Sequence, residues 1–140
     1  MELHKTLSKI QKELNVPKGR HNKFSGFYYR SQEDILKAVK ALLPEGTTLR
    51  LHDTIEQVGD RFYVKATAVL SDGKDMIQNI AYARETDIKK GMDSAQITGA
   101  TSSYARKYSL NGMFGIDDTA DPDTQDNTQE EITNNQSIEI

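Results

Sequence analysis

Residues 49–85 constrain the fold of this chain more than any other stretch. Leu49, Leu51 and Ile55 alternate with Arg50, His52, Thr54 and Glu56, and Gly59-Asp60 then marks a turn. Phe62, Val64, Ala66, Ala68 and Leu70 form one face of a second strand. Asp72-Gly73 is a strong hairpin signal. A third strand, about 75–85, splits Met76, Ile80 and Tyr82 from Ile77, Ala81 and Ala83. Three alternating segments joined by tight turns predict an antiparallel meander. The alanines at 66, 68, 81 and 83 leave room for something to lie close against it.

Residues 91–116, GMDSAQITGATSSYARKYSLNGMFGI, supply a partner for that sheet. Asp93 and Gln96 have the spacing of a capping box, and Asn111-Gly112 reads as the helix stop. The helix, about 94–110, carries Ser94, Ala95, Gly99, Ala100, Ser102 and Ser103, followed by Tyr104, Arg106, Lys107 and Tyr108. Glycine and serines lower helix propensity, so packing must hold this helix in place. The small half, Ser94–Ser103, is expected to lie on the sheet. Tyr104 and Tyr108 share one face, for which burial in the core is the favoured reading.

Upstream, Leu3, Leu7, Ile10 and Leu14 make an apolar stripe on a helix over 2–14, which Val16-Pro17 ends. Ser31 and Asp34 cap a second helix, about 32–43, with Ile35, Leu36, Val39, Leu42 and Leu43 on its buried side. Between the two lies KGRHNKFSGFYYR, residues 18–30, read as a flexible basic loop running into a short strand. Lys18, Arg20, Lys23 and Arg30 interleave there with Phe24, Phe27, Tyr28 and Tyr29. Its aromatics either complete the core or stack on bases.

The net charge of -3 conceals a segregation. Residues 121–140 hold six carboxylates and no Lys or Arg; without them 18 basic residues face 15 acidic ones, so residues 1–120 carry +3. Stopping at Ile116 removes Asp117 and Asp118 as well and gives +5. The polar, acidic composition of 119–140 predicts a disordered tail after a folded domain at 1–118. Ile132, Ile138 and Ile140 are its large apolar residues. The fold class expected is α+β, a three-stranded antiparallel meander packed against helices.

Several function classes are disfavoured. The chain has no cysteine, and His4, His21 and His52 show no ligand spacing, so neither a metal nor another cofactor is expected. A Walker-type loop and a nucleophile elbow are both missing. Asp117, Asp118, Asp121 and Asp123 resemble a magnesium cluster only in composition, since they open the tail rather than sit on a scaffold. No apolar run approaches the roughly 18 residues of a bilayer span, and the N-terminus lacks the apolar core of a signal peptide. A cytoplasmic protein without enzymatic activity is expected.

What remains is basic and aromatic, without a helix-turn-helix, zinc-finger or RNP signature. That favours binding to the nucleic-acid backbone with little base preference. Lys89 and Lys90 precede the last helix, whose N-terminus already favours anions. With Arg106 and Lys107 they form the expected phosphate track, flanked by Arg20, Lys23 and Arg30, with Tyr28 and Tyr29 beside it. Arg84 is equally readable as a sheet ion-pair former or as a groove residue.

The string GMDSAQITGATSSYARKYSLNGMFGIDD resembles the signature of the Erf ("essential recombination function") family, the single-strand annealing proteins of bacteriophages. The likeness rests on Asp93-Ser94-Ala95-Gln96, Gly99, Tyr104 through Tyr108, Leu110 and Phe114-Gly115-Ile116. Phe27 through Ser31, leading to Ile35, is similar as well. The resemblance covers about Leu7–Asp118, tightly over the last helix and loosely over the strands. Lys107 stands where the family often has arginine, and Ser102-Ser103 where bulkier residues are frequent. The resemblance implies a protein of homologous recombination and DNA repair that coats single-stranded DNA and pairs complementary strands without ATP. It implies single-stranded DNA and the annealed duplex intermediate as partners, and a homo-oligomeric ring or helical filament. A single-strand-binding protein or an exonuclease is a further candidate partner, and the location is the bacterial host cytoplasm if the chain is phage-encoded.

Two other readings stay open. In one, the acidic tail recruits a replication or single-strand-binding partner while the globular part oligomerises. In the other, the tail carboxylates serve a magnesium nuclease.

Overall fold

A computed structural model describes residues 2–87 and 91–117. In chain order the elements are α1 (Glu2–Glu13), β1 (Arg20–His21), β2 (Tyr28–Tyr29), α2 (Gln32–Lys40), β3 (Thr48–Val58), β4 (Arg61–Ser71), β5 (Met76–Arg84) and α3 (Ser94–Phe114). Strands β3, β4 and β5 form the expected antiparallel meander in sequential order, and β1 pairs with β2 in a separate small ribbon. The class is α+β, as the alternation implied. The tail at 119–140, Lys89 and Lys90 all lie outside the described residues.

The register explains the alternation. Leu51 pairs with Ala68, Ile55 with Val64, Ala66 with Ala81, and Val64 with Ala83, which puts the alanines on one face. Gly59, at φ +64, is the first of the two residues linking β3 to β4, a position that favours glycine. The second turn is longer than a two-residue hairpin. Ser71 pairs with Met76, and the Asp72 side chain accepts from the amides of Lys74 (2.9 Å) and Asp75 (2.7 Å). Those backbone bonds, first that of Asp75, hold the Asp72 carboxyl below its ordinary pKa. Here side-chain capture of the backbone selects a four-residue loop.

Helix α3 crosses the alanine face. Its buried stripe is Ile97, Thr101, Ala105, Ser109 and Met113, spaced four apart. Val64, Ala66 and Ala105 form one small cluster, with Ala83 against it. Beyond it, Leu110, Met113 and Phe114 join Leu3 and Ile10 of α1, Ile35 and Val39 of α2, and Leu70 of β4 in the main core. The expected α1 and α2 stripes are therefore the ones that pack, although α2 ends at Lys40. Leu42 and Leu43 follow in a turn closed by bonds to Val39 and Lys40, because Pro44 disfavours helical backbone before it.

Two expectations about α3 are corrected. The helix does not stop at Asn111-Gly112 but runs to Phe114 and ends at Gly115, at φ +67. The Ile116 amide closes the end on the Asn111 carbonyl at 2.9 Å, the long-range bond of a left-handed helix cap. Burial of Met113 and Phe114 favours the extra turn. Gly112 admits the Asn79 side chain, whose amide nitrogen donates to the Ser109 carbonyl at 2.8 Å; a Cβ at 112 would sit 2.3 Å from it. Second, the small residues nearest the N-terminus are not the packing ones. Ser94, Ala95 and Gly99 are exposed, and nothing approaches within 4 Å of where a Gly99 side chain would begin. Contact with the sheet falls to Ser102, which bonds Asp53, and to the buried Thr101, Ala105 and Ser109.

All three helices contribute to the core on one face of the sheet. The opposite face, with Arg50, Lys65, Ile80 and Tyr82, is uncovered among the described residues.

Candidate nucleic-acid interface

Residues 18–30 form a built hairpin rather than a loose loop. Arg20 pairs with Tyr29 and His21 with Tyr28. At the tip, the Asn22 side chain accepts from the amides of Phe24 (2.8 Å) and Ser25 (3.2 Å), and Gly26 turns the chain at φ +75. An asparagine that captures its own backbone is a local turn former. Phe24 is 75% exposed, Tyr28 62%, and Tyr29 lies at the surface beside it. The His21 and Tyr28 rings meet at 4.8 Å. Phe24, Tyr28 and Tyr29 stand outside the core, while Phe27 is half-buried.

The hairpin is moored by charge. Arg20 Nε lies 2.8 Å from Asp34, and its Nη2 donates to the same carboxylate at 3.1 Å. Asp34 is also the capping-box residue of α2, accepting from the Ser31 amide at 2.9 Å. The Arg20 hydrogen bond is the largest cause that lowers the Asp34 pKa to about 2, with the Ser31 bonds adding to it. Arg30 is a strap rather than a pointer. Its Nε donates to the Val16 carbonyl at 2.8 Å and its Nη1 to the Asp117 carbonyl at 3.2 Å, joining the chain after α1 to the chain after α3.

The hairpin meets α3 at Lys107, whose ammonium lies 5.9 Å from the centroid of the Tyr29 ring, a cation–π contact. One turn of helix around it presents Tyr104 and Tyr108, with ring centroids 5.6 Å apart. Tyr108 is 46% exposed and Tyr104 half-buried, so the pair borders the surface rather than filling the core. Tyr29 and Lys107, drawn from two segments far apart in sequence, thus meet, with Tyr104 and Tyr108 flanking Lys107 on the helix, whereas Tyr28 packs against His21.

Arg106 has a different role. Its Nε lies 3.1 and 3.3 Å from the two oxygens of Asp53 on β3, and the Ser102 hydroxyl donates to the same carboxylate. The triad fastens α3 to β3. Arg84 lies on the outer sheet face, opposite Tyr63, away from Lys107 and the hairpin. Of the sequence-expected cations, Lys107 meets Tyr29, and Lys23 lies exposed at the hairpin tip next to Phe24 in the chain. Arg20 is engaged in its ion pair, Arg30 and Arg106 serve as tethers, and Arg84 stands apart.

Asp53 was not singled out from the sequence, yet the signal was present. It occupies the apolar register between Leu51 and Ile55, so a carboxylate there must face the helix. Among the described residues no group of His, Cys, Asp or Glu could hold a metal ion. Asp118, Asp121 and Asp123 lie outside them. No helix among the described residues is long and apolar enough to cross a membrane.

Residues 3–139 match the ERF superfamily. Over 130 residues the chain is 54% identical to the "Essential recombination function protein" of Salmonella phage P22, covering 93% of this chain and 63% of that protein. The chain thus spans less than two thirds of the curated relative's length. No solved structure matches it significantly. Identity at this level over nearly the whole chain, together with the family match, is decisive: the chain belongs to the ERF superfamily.

Proposed function

We propose that this chain is a phage recombination protein that binds single-stranded DNA through its backbone and pairs complementary strands without ATP. The observation that carries the reading is the contact of Tyr29 with Lys107, next to exposed Tyr108 on α3, with Phe24 and Tyr28 exposed on the same hairpin. Flat aromatic faces beside a cation suit unpaired bases and phosphates, because stacking contributes about 1–3 kcal/mol per base and is tolerant of sequence. The name of the phage P22 relative supports recombination as the setting.

Mechanistically, the strand runs past Lys23 at the hairpin tip and Lys107 on α3. Lys89 and Lys90, just ahead of α3 in the chain, extend the phosphate track. Arg106, Arg30 and Arg20 hold the platform in shape. Neutralising phosphates lowers the repulsion between two DNA strands, and bases left accessible test pairing with the second strand. The step moves no covalent bond and calls for no nucleotide. A ring or helical filament of copies continues the track from subunit to subunit, and a single-strand-binding protein or an exonuclease delivers the substrate strand. The site of action is the cytoplasm of the bacterial host.

The test is annealing of complementary oligonucleotides without ATP, alongside binding of a labelled single strand. A Lys23→Ala/Tyr28→Ala/Lys107→Ala triple variant keeps its circular dichroism spectrum and loses at least tenfold in affinity. A folded triple variant that anneals at the normal rate sinks the assignment of the site. Lys89→Ala/Lys90→Ala examines the segment ahead of α3 in the same assay.

A further inference from the structure

The face of the sheet turned away from α3 is unlike an ordinary solvated sheet face. Alternation places Met76, Ile80 and Tyr82 on it, exposed by 56%, 46% and 49%. The same register places four cations there, Arg50, Arg61, Lys65 and Arg84, against one carboxylate, Glu56, which lies 3.7 Å from Lys65. A contiguous surface that is apolar along β5 and cationic around it suits an acidic ligand with its own apolar residues.

The chain contains a segment of that composition. Residues 118–140 hold seven carboxylates, no Lys or Arg, and isoleucines at 132, 138 and 140. Ile138 and Ile140 flank Glu139, so an extended backbone puts the two isoleucines on one side and the carboxylate on the other. Reach is sufficient. The 15 residues from Ile116 to Glu131 span roughly 50 Å when extended, against roughly 36 Å for an eleven-residue strand such as β3.

We infer that the acidic segment 118–140 docks on the outer face of the β3–β4–β5 sheet, its isoleucines against Ile80 and Tyr82 and its carboxylates against Arg50, Lys65 and Arg84. Charge alone would also send it to the hairpin. That surface, however, already answers Arg20 with Asp34 and offers no exposed aliphatic side chain for the isoleucines. The docked segment covers the apolar strip and leaves Lys107 and the aromatics open.

The chain has no cysteine, so introduced pairs report proximity cleanly. Full-length chains carrying Ile138→Cys with Ile80→Cys, with Lys23→Cys at the hairpin, or with Ser8→Cys on the outer side of α1 are oxidised mildly at low salt. The Ile80 pair is expected to form its disulfide at least tenfold faster than the Ser8 pair. That advantage falls severalfold with Lys65→Glu/Arg84→Glu, and in high salt. Equal rates at Ile80 and Ser8 overturn the inference. A fastest rate at Lys23 also overturns it and assigns the segment to the hairpin. DNA that fails to slow the Ile80 pair supports separate surfaces, whereas DNA that abolishes it overturns the statement that docking leaves the DNA surface open.

Discussion

Arg106 and Asp53 are joined side to side, with Nε 3.1 and 3.3 Å from the two carboxylate oxygens. Ser102 completes the set from one helical turn earlier. The contact is half-buried between α3 and β3, where a charged hydrogen bond contributes more than it does in open solvent. Replacing Asp53 by alanine is expected to cost about 1–3 kcal/mol, read as a lower urea midpoint. Arg106→Ala has a similar effect, and the double variant costs less than the sum of the two. Loss of DNA affinity on Arg106→Ala with unchanged urea stability would return Arg106 to the binding track.

Gly112→Ala is expected to destabilise, although alanine is the better helix former by about 1 kcal/mol. The new methyl meets the Asn79 amide at 2.3 Å and breaks its bond to the Ser109 carbonyl. In an Asn79→Ala background the obstacle is gone, and the same substitution becomes neutral or stabilising. Thermal unfolding of the four chains of this cycle measures the sign change.

Lys107→Ala is expected to weaken single-strand binding for all sequences alike. It should also reduce the slope of log affinity against log salt by about 0.7. Tyr28→Ala removes a stacking surface and lowers affinity with little effect on that slope. Anisotropy titrations at several salt concentrations separate the two. Identical slopes for Lys107→Ala and the parent chain would contradict a phosphate contact.

The Asp34 carboxyl is held at about 2 in the folded chain, below its ordinary 3.8, first by the Arg20 hydrogen bond. A depressed folded pKa adds stability above the unfolded value and loses it as the carboxylate takes up a proton. Stability therefore drains from this contact as pH falls from about 5 to about 2. Arg20→Ala flattens that part of the pH curve while leaving the Ser31–Asp34 cap in place. Because the pair is partly exposed, salt weakens the effect. Denaturant midpoints across the acid range for both chains provide the measurement.

The meander was readable because strand alternation and turn residues are local signals. Val64, Ala66, Ala68 and Leu70 announce their face without reference to anything else. The capping boxes at Ser31–Asp34 and Asp93–Gln96 were readable for the same reason. The end of α3 was misjudged because Asn111-Gly112 and Gly115 are both plausible stops locally. The choice between them depends on Met113 and Phe114 reaching α1 and on Asn79 coming in from β5. Gly99 looked like a packing glycine because composition does not say which side of a helix faces the sheet. In the candidate site, Lys107 and the hairpin tyrosines were visible as types. That Tyr29 and Lys107 touch, and that Arg106 is already engaged, follows only from tertiary placement.

No residue of the hairpin belongs to the main core cluster. It is fastened by Arg20–Asp34, by the Asn22 turn and by the touch of Tyr29 on Lys107. On the proposed reading, the exposed hairpin side chains that would grip a ligand are then separate from the apolar residues of the main core. Exposed tip residues such as Lys23 and Phe24 can therefore change without altering a contact of that core.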